Sequence, residues 1–325
     1  MSLAASVVIP TFRRPHLLHR CLVPLLSQAL DPRAYEIIVV DDGRDPLTRT
    51  VVDTLVHRHP GGPALRYLQP PAGRRGPAAA RNCGWRAAQG RVIAFTDDDT
   101  IPFVDWLCEG LKAMVPGVAA AAGRVKVPIP DWPTDYERNV KRMETAEFVT
   151  ANCFVRRDVL ERIGGFDERF TRAWREDSDL HFTLLEQGGE VVSAQRALVL
   201  HPVREAAWGV SLREQRNMAF DALLYKKHPA LYRQRIRARP PLAYYGVVLA
   251  LVAVLAAAAA GQFALMLAAA AIWLLLTWKF CRVRLSGTSH RPRHVAEMVA
   301  TSVAIPVAAV YWRLAGALRY RAPFA

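Results

Sequence analysis

Residues 242–278 form a run of 37 amino acids without one charged side chain. As a single helix, at about 1.5 Å per residue, this run would be about 55 Å long, well beyond a hydrocarbon core of ~30 Å. Gly261 and Gln262 lie near its middle, where a tight turn would divide it into two spans. The run therefore predicts a membrane hairpin; the alternative is a helical hairpin buried in a soluble protein.

Basic side chains flank this uncharged run on both sides. Residues 203–240 carry nine Lys or Arg and three acids. Because basic residues beside a span favour the cytoplasmic side, both ends of the hairpin are predicted to be cytoplasmic. We therefore expect a multi-pass protein of the inner membrane, with residues 1–240 in the cytoplasm. The flanking residues are Arg233, Arg235, Arg237 and Arg239 before the run, and Lys279, Arg282 and Arg284 after it.

A third apolar run covers residues 298–312, but it is short, contains Pro306 and has arginines beyond it. The sequence leaves three interpretations open: a third span, a re-entrant segment or an interfacial helix. The predicted membrane region is 242–325, with helices at about 242–260 and 263–280 and a third candidate at 295–314.

The first 100 residues alternate between strand and helix patterns, which favours a parallel, doubly wound sheet. Beyond residue 100 we expect one or two strands in 118–127, a loop or mobile flap over 128–142 and a strand running into a helix over 152–163. We further expect a helix over 174–187, short strands at 190–192 and 197–200, and an amphipathic helix over 212–228. The early strands are predicted at 4–10, 36–40, 64–68 and 92–96, and the early helices at 16–28, 48–59 and 77–89.

Three carboxylates, Asp97, Asp98 and Asp99, directly follow the apolar strand 92–96. Ligands of open α/β sheets bind beyond the carboxyl ends of the strands. Carboxylate oxygens there can hold a hard divalent cation, and the cation can hold a diphosphate. The alternative is a solvated turn in which Asp99 or Thr100 caps a helix.

Charge and cysteine content narrow the class of partner and the compartment. The net charge of +14 suits phosphorylated substrates or an anionic membrane surface. Because zinc-finger spacing and an RNA-binding aromatic signature are both missing from the sequence, we expect no nucleic-acid partner. Five scattered cysteines without a Cys-x-x-Cys pair indicate reduced thiols in a cytosolic compartment. Residues 4–9 are too short for a signal peptide.

Six short motifs lie between residues 6 and 180, and both their order and their spacing are informative. Together they resemble the family 2 glycosyltransferases of GT-A fold, over roughly residues 4–230. The resemblance implies an α/β fold, a GT-A doubly wound and mostly parallel sheet, followed by C-terminal transmembrane helices. The implied domains are a glycosyltransferase domain at 1–230, a basic juxtamembrane linker at 231–241 and the membrane region. The motifs are Ser6–Thr11, Val39–Gly43, Gly76–Gly84, Phe95–Asp99, Gly164–Glu168 and Arg175–Leu180.

The resemblance also implies roles around the sugar donor. Thr11, Asp41 and Arg81 would surround the nucleotide, with Asp41 at the base and Arg81 at the nucleotide or diphosphate. Arg makes charge-assisted bonds to phosphate, and a carboxylate accepts from a base or ribose donor. Asp41 is otherwise a turn former before Gly43, and Arg81 a residue of a solvated helix face.

The Asp97-Asp98-Asp99 triplet would be the family's metal motif, with a divalent cation, Mg²⁺ or Mn²⁺, as cofactor. Asp99 would be a direct ligand, Asp97 would reach the ribose or the metal, and Asp98 would belong to the nucleotide-sugar site. His201 follows the last predicted strand and would complete the metal site, where imidazole suits Mn²⁺ better than Mg²⁺. A structural histidine before proline is the alternative.

Glu176 and Asp177 resemble the family's acidic pair at the acceptor site. Asp177 would be the general base, because inverting displacement needs a base to take the proton of the acceptor hydroxyl. Glu176 would orient Asp177 or bind the acceptor. The alternative for both residues is an ordinary acidic helix start.

The predicted protein is an inverting, metal-dependent glycosyltransferase at the cytoplasmic membrane face. It would use a nucleotide-diphosphate sugar, a lipid-linked or glycan acceptor and surrounding membrane lipids, in cell-envelope polysaccharide or glycolipid biosynthesis. A processive polysaccharide synthase is disfavoured because residues 215–219 lack its Gln-x-x-Arg-Trp motif. A nucleotidyltransferase would carry a glycine-rich loop at residues 10–14. An inactive, membrane-anchored sugar-nucleotide-binding protein would not need both acidic sites.

Overall fold

The computed structural model of the chain describes residues 3–324. It divides into two compact units, each built from two stretches of sequence. The first, which we call the sheet unit, contains the residues through 128 together with 141–203. The second, which we call the helical unit, contains residues 129–140 and those from 204 onward. The predicted linker at 231–241 lies inside the helical unit.

The sheet unit is built on one eight-stranded sheet. Its strands are β1 Ala5–Thr11, β2 Tyr35–Asp41, β3 Ala64–Leu68, β4 Val92–Thr96, β5 Ile101–Pro102, β6 Val118–Lys126, β7 Asn152–Arg156 and β8 Glu190–Leu200. They lie in the order β3-β2-β1-β4-β7-β6-β8-β5. Strands β1 to β4 are parallel neighbours, whereas β7 is antiparallel to both β4 and β6. The sheet is therefore mixed, and its parallel half is the part that the early strand–helix alternation predicts.

Strands β1, β2 and β4 are buried along their whole length. This burial on both faces explains their unbroken apolar runs, because helices cover both sides of a doubly wound sheet. Phe95 packs edge-on against Phe166 in the core, with ring centroids 5.2 Å apart. The helices of the unit are α1 Pro15–Leu25, α2 Pro46–Arg58, α3 Pro77–Ala87, α4 Trp106–Ala113, α6 Arg157–Ile163 and α7 Glu176–Glu186.

Two of the predicted short strands are one continuous strand. Residues 190–192 and 197–200 both belong to β8, which is 11 residues long. Its register with β6 shifts between Gly123 and Arg124, which pair with Ala194 and Leu198. The extra residues form a bulge. That bulge interrupts the apolar alternation and so makes one strand look like two in the sequence.

The helical unit begins with a helix where the sequence predicted a loop or flap. Helix α5 covers Asp135–Lys141, whose last residue is counted with the sheet unit. The Thr134 hydroxyl accepts from the Glu137 amide at 3.2 Å, and the Glu137 carboxylate accepts from the Thr134 amide at 2.6 Å. This reciprocal pair is a capping box, which starts a helix despite the prolines before it.

The predicted amphipathic helix over 212–228 is also corrected. The segment forms helix α8 Val210–Arg213, a 3₁₀ turn at Glu214–Asn217 and helix α9 Met218–Lys227. Helix α9 has no solvated face over its middle, because all residues from 219 to 225 are buried. Its acidic residue, Asp221, accepts a hydrogen bond from the Tyr232 hydroxyl at 3.1 Å. A short helix, α10, follows at Pro229–Leu231.

Three long helices complete the helical unit, and each is long and apolar enough to cross a membrane. The turn between the first two contains Gly261 and Gln262, as predicted. The third is one continuous helix through Pro306, far longer than the apolar run that suggested it. These helices are α11 Leu242–Ala259, α12 Phe263–Leu285 and α13 Pro292–Tyr320.

Candidate active site

Polar side chains lie at the carboxyl ends of three parallel strands, at the same edge of the sheet. Thr11 ends β1, Asp41 ends β2, and Asp97 follows β4. The Thr11 hydroxyl donates to the Asp98 carboxylate at 2.7 Å. Asp98 is buried, and burial raises its pKa to about 7, although the Arg14 guanidinium 3.2 Å away lowers it. The strand-end arrangement that the sequence predicted is therefore present.

Asp41 is fully buried and its two carboxylate oxygens are engaged within the protein. One oxygen accepts from the Gly43 amide at 2.8 Å. The other accepts from the Asp45 amide and from the Tyr67 hydroxyl, each at 2.8 Å. Asp41 thus organises the turn after β2 and ties it to β3, while its role at a nucleotide base stays a prediction.

Asp97, Asp99 and His201 come together at the end of β4 and β8. One ligand atom from each lies within 4.8 Å of the others. The His201 amide donates to the Lys126 carbonyl at 2.8 Å, which fixes the residue beside β6. Buried Nδ1 of His201 has no hydrogen-bond partner among residues 3–324. Two carboxylates and an imidazole suit Mn²⁺, so the residues present fit a divalent cation.

Arg81 connects this cluster to the acidic pair of α7. Its guanidinium donates to Asp97 at 2.6 Å and to Glu176 at 3.0 Å. Only 2% of the Arg81 side chain is exposed. Burial by itself would raise the pKa of Asp97, but the charge of Arg81 holds that pKa below its usual range. Arg81 also joins two groups of carboxylates, while its predicted role at the nucleotide or diphosphate stays a prediction.

A glycine sets the start of the helix that carries Arg81. Gly76 precedes α3 and has φ of +93°, a conformation that glycine adopts at little cost. A Cβ at this position would lie 2.6 Å from the Thr171 carbonyl oxygen. The Gly76 amide donates to Asp42 at 2.9 Å. The loop therefore packs too closely for any residue with a side chain.

Glu176 and Asp177 form the first turn of α7. Arg175, the residue before them, has φ of +73°, which is uncommon for a residue with a side chain and typical of functional sites. Asp177 is half-buried and accepts from the Ser178 amide at 2.6 Å. Burial raises the pKa of Asp177 and that of Glu176, and Arg81 offsets only part of the effect on Glu176.

Two models of related protein families match the chain. The model described as glycosyl transferase family 2 matches residues 6–166. The model described as glycosyl transferase family group 2 matches residues 92–281, more than half of the chain. The chain is a family 2 glycosyltransferase. This confirms the family that the six motifs resemble.

Two curated relatives match this glycosyltransferase over about two thirds of its length. Glycosyltransferase AglE of Haloferax volcanii is 28% identical over 222 residues, covering 65% of this chain and 70% of AglE. Validoxylamine A glucosyltransferase of Streptomyces hygroscopicus is 27% identical over 273 residues, covering 70% of this chain. The match spans only 57% of that second relative's length.

Solved structures share the fold. A mannosyltransferase of Pyrobaculum calidifontis, solved with GDP-Man and Mn²⁺, superposes with a TM-score of 0.59 at 21% identity. That match covers 96% of this chain and 88% of the mannosyltransferase. GalNAc-T7, solved with UDP, GalNAc and Mn²⁺, gives a TM-score of 0.52 at 15% identity over 70% of this chain and 51% of its own. The GT-A fold of this glycosyltransferase is thereby confirmed.

Two residues of the candidate site were not predicted from the sequence. Arg14 lies 3.2 Å from Asp98 and 3.6 Å from Asp99. Tyr67 reaches Asp41 from the neighbouring strand. A basic residue three positions beyond the end of β1 was a visible signal for Arg14, because that strand end faces the acidic triplet. Nothing local to Tyr67 marks it, since its contact depends on strand pairing.

Proposed function

We propose that this glycosyltransferase is inverting and metal-dependent and acts at the cytoplasmic face of the inner membrane. It transfers one sugar from a nucleotide-diphosphate sugar to the hydroxyl of a lipid-linked or glycan acceptor. Thr11, Asp41, Arg81, Asp97 and Asp98 form the donor side of the site.

The observation that supports this proposal best is the Arg81 bridge. One buried guanidinium contacts Asp97 of the candidate metal cluster and Glu176 of the acidic pair, at 2.6 and 3.0 Å. The donor-side and acceptor-side carboxylates are thus within the reach of one side chain. Inverting displacement needs both groups close together, because bond formation and bond breaking occur at one anomeric carbon.

Each residue of the candidate site has a separate role in the proposed reaction. Asp97, Asp99 and His201 would hold the cation, whose bound form supplies Lewis-acid stabilisation to the diphosphate leaving group. Asp177 takes the proton of the acceptor hydroxyl while the oxygen of that hydroxyl forms the new bond to the anomeric carbon. The bond from that carbon to the diphosphate oxygen breaks on the opposite face, and nucleoside diphosphate leaves. Glu176, held by Arg81, fixes the first turn of α7 and hence Asp177.

The experiment uses the full chain in vesicles of phosphatidylethanolamine and phosphatidylglycerol. Release of nucleoside diphosphate is measured with a panel of nucleotide sugars, a panel of lipid-linked and glycan acceptors, and Mn²⁺. We expect release from one or a few donors, and its loss in chelator and in Asp99→Ala. Asp105→Ala, which changes an exposed carboxylate nearby, should keep full activity.

Two results would contradict the proposal. Full activity in excess chelator would exclude metal dependence. Binding of a sugar nucleotide without turnover, across all acceptors tested, would favour the inactive binding protein instead.

A further inference from the structure

Helix α13 has two different faces. One face packs inside the helical unit and includes Met298, Ile305 and Ala309. The other face is exposed and, from residue 299 to 318, is uniformly apolar. Its members recur every three or four positions, so they form one continuous stripe along the helix. This apolar stripe consists of Val299, Val303, Val307, Tyr311, Leu314 and Leu318.

The packed face of α13 runs along residues 209–227 and also contacts α11 and α12. Near one end of α13, Glu297 accepts from the Gly209 amide at 2.6 Å. A Cβ on Gly316 would lie 2.5 Å from the carbonyl oxygen of Ala219, so the two backbones touch there. At the other end the Lys226 ammonium donates to the Tyr320 carbonyl at 2.8 Å. The contacts extend from residue 297 to 320, about 35 Å at ~1.5 Å per residue.

The neighbouring segment is unsuited to the interior of a bilayer. Were α13 to cross a hydrocarbon core of ~30 Å, residues 209–227 would have to cross it alongside. That segment carries Arg213 and Arg216, both exposed, and half-buried Glu214. A charged side chain at the bilayer centre costs roughly 2.5–3.5 kcal/mol on the insertion scale. Among the described helices, only α11, α12 and α13 are long and apolar enough to span.

The charges at the two ends of α13 also argue against a helix that crosses the bilayer. Arg291 and Arg293 flank its beginning, and Arg319 and Arg321 flank its end; all four are exposed. Basic residues beside a membrane helix favour the cytoplasmic side. A span would place one of these pairs outside, whereas a helix parallel to the surface keeps both pairs at anionic headgroups.

We propose that α13 is not a third span but lies in the plane of the cytoplasmic leaflet. Its apolar stripe enters the boundary between headgroups and acyl chains, about 5–10 Å deep. Its partner is an anionic phospholipid surface, bound by the stripe and by the four terminal arginines. This inference rests on the membrane anchoring proposed above, because α11 and α12 must hold the chain at the bilayer.

The test measures the depth of single nitroxide labels in the full chain, reconstituted in phosphatidylethanolamine and phosphatidylglycerol vesicles. Labels are placed at Val299, Val307 and Leu318 of the stripe and at Val252 in the middle of α11, all exposed within the protein. Accessibility to oxygen and to a polar nickel complex gives each depth. We expect equal, shallow depths at the three stripe positions and a deep label at position 252.

The outcomes separate the two proposals. A label at 307 much deeper than those at 299 and 318 would show that α13 crosses the bilayer and would overturn the inference. A water-exposed label at 252 would show that the anchoring itself is wrong. Because labelling needs a cysteine-free variant, a second measurement uses the native cysteines and a C-terminal green fluorescent protein. Fluorescence of the fusion indicates that the C-terminus lies in the cytoplasm. If α11 and α12 form a hairpin, a fluorescent fusion supports the in-plane helix, whereas a fully expressed fusion without fluorescence contradicts it.

Discussion

Asp177 is the residue whose proposed role is most open to a direct test. Asp177→Asn keeps the size of the side chain and its contact with Ser178, but it removes the capacity to take a proton. A positioned base contributes about 10²–10⁴-fold. We expect kcat to fall by that factor while donor binding, measured by calorimetry, is retained. Asp158→Asn, at an exposed carboxylate paired with Arg156, is the matched control and should leave both unchanged. Loss of donor binding in Asp177→Asn would instead assign Asp177 to the donor site.

The pH dependence of turnover follows from the same residue. Burial raises the pKa of Asp177 above that of an ordinary aspartate, so the carboxylate holds its proton at a higher pH than usual. Since the base must be deprotonated, kcat should fall as the pH is lowered, with a midpoint above the usual ~3.9. The residual activity of Asp177→Asn should lack this acidic limb. A wild-type profile that is flat down to the ordinary aspartate range would contradict the assignment.

At the scale of elements, the loop before α3 positions Arg81. Gly76→Ala should destabilise the protein by more than about 1 kcal/mol, because alanine is strained at a positive φ and its Cβ would clash with Thr171. Thermal unfolding of the purified protein measures the change. Gly73→Ala is the matched control: Gly73 has φ of +85°, but a Cβ at this position would meet no atom within 4 Å. Equal destabilisation by the two variants would show that the clash with Thr171 contributes nothing.

The elements also show what the sequence could and could not predict. Strands β1, β2 and β4 were predicted to within one residue, because each is a buried apolar run that ends in a polar residue. Helix α5 was missed since prolines precede it, although the Thr134 and Glu137 spacing of a capping box was present. The carboxylates of the candidate site were each predicted from the sequence, and their roles stay predictions. The Arg81–Glu176 contact was not, because the two residues are 95 positions apart and meet only through the packing of α3 and α7.

At the scale of the whole molecule, the proposed topology makes a prediction for intact cells. Single cysteines at positions 45, 262 and 290 of a cysteine-free variant are treated with an impermeant thiol reagent; Gln262 and His290 are both exposed within the protein. Because basic residues flank both ends of the α11–α12 pair, only position 262, in its turn, should be labelled. Permeabilised cells, in which all three positions should react, provide the control. Labelling at 290 with none at 45 would mean a single crossing and would exclude the hairpin.

Residues 129–140 belong to the helical unit, although in the sequence they lie between the two stretches of the sheet unit. Their packing partners are therefore synthesised much later than they are. Asp135 pairs with Arg284 at 2.9 Å, and Arg138 donates to the carbonyl oxygens of Arg284 and Ser286. The Asp135 and Arg284 partners are 149 positions apart. At about 5–20 residues per second, residues 129–140 wait roughly 7–30 s for these partners. The contacts form only after α12 has left the ribosome, so this part of the fold is completed once the membrane hairpin has been made.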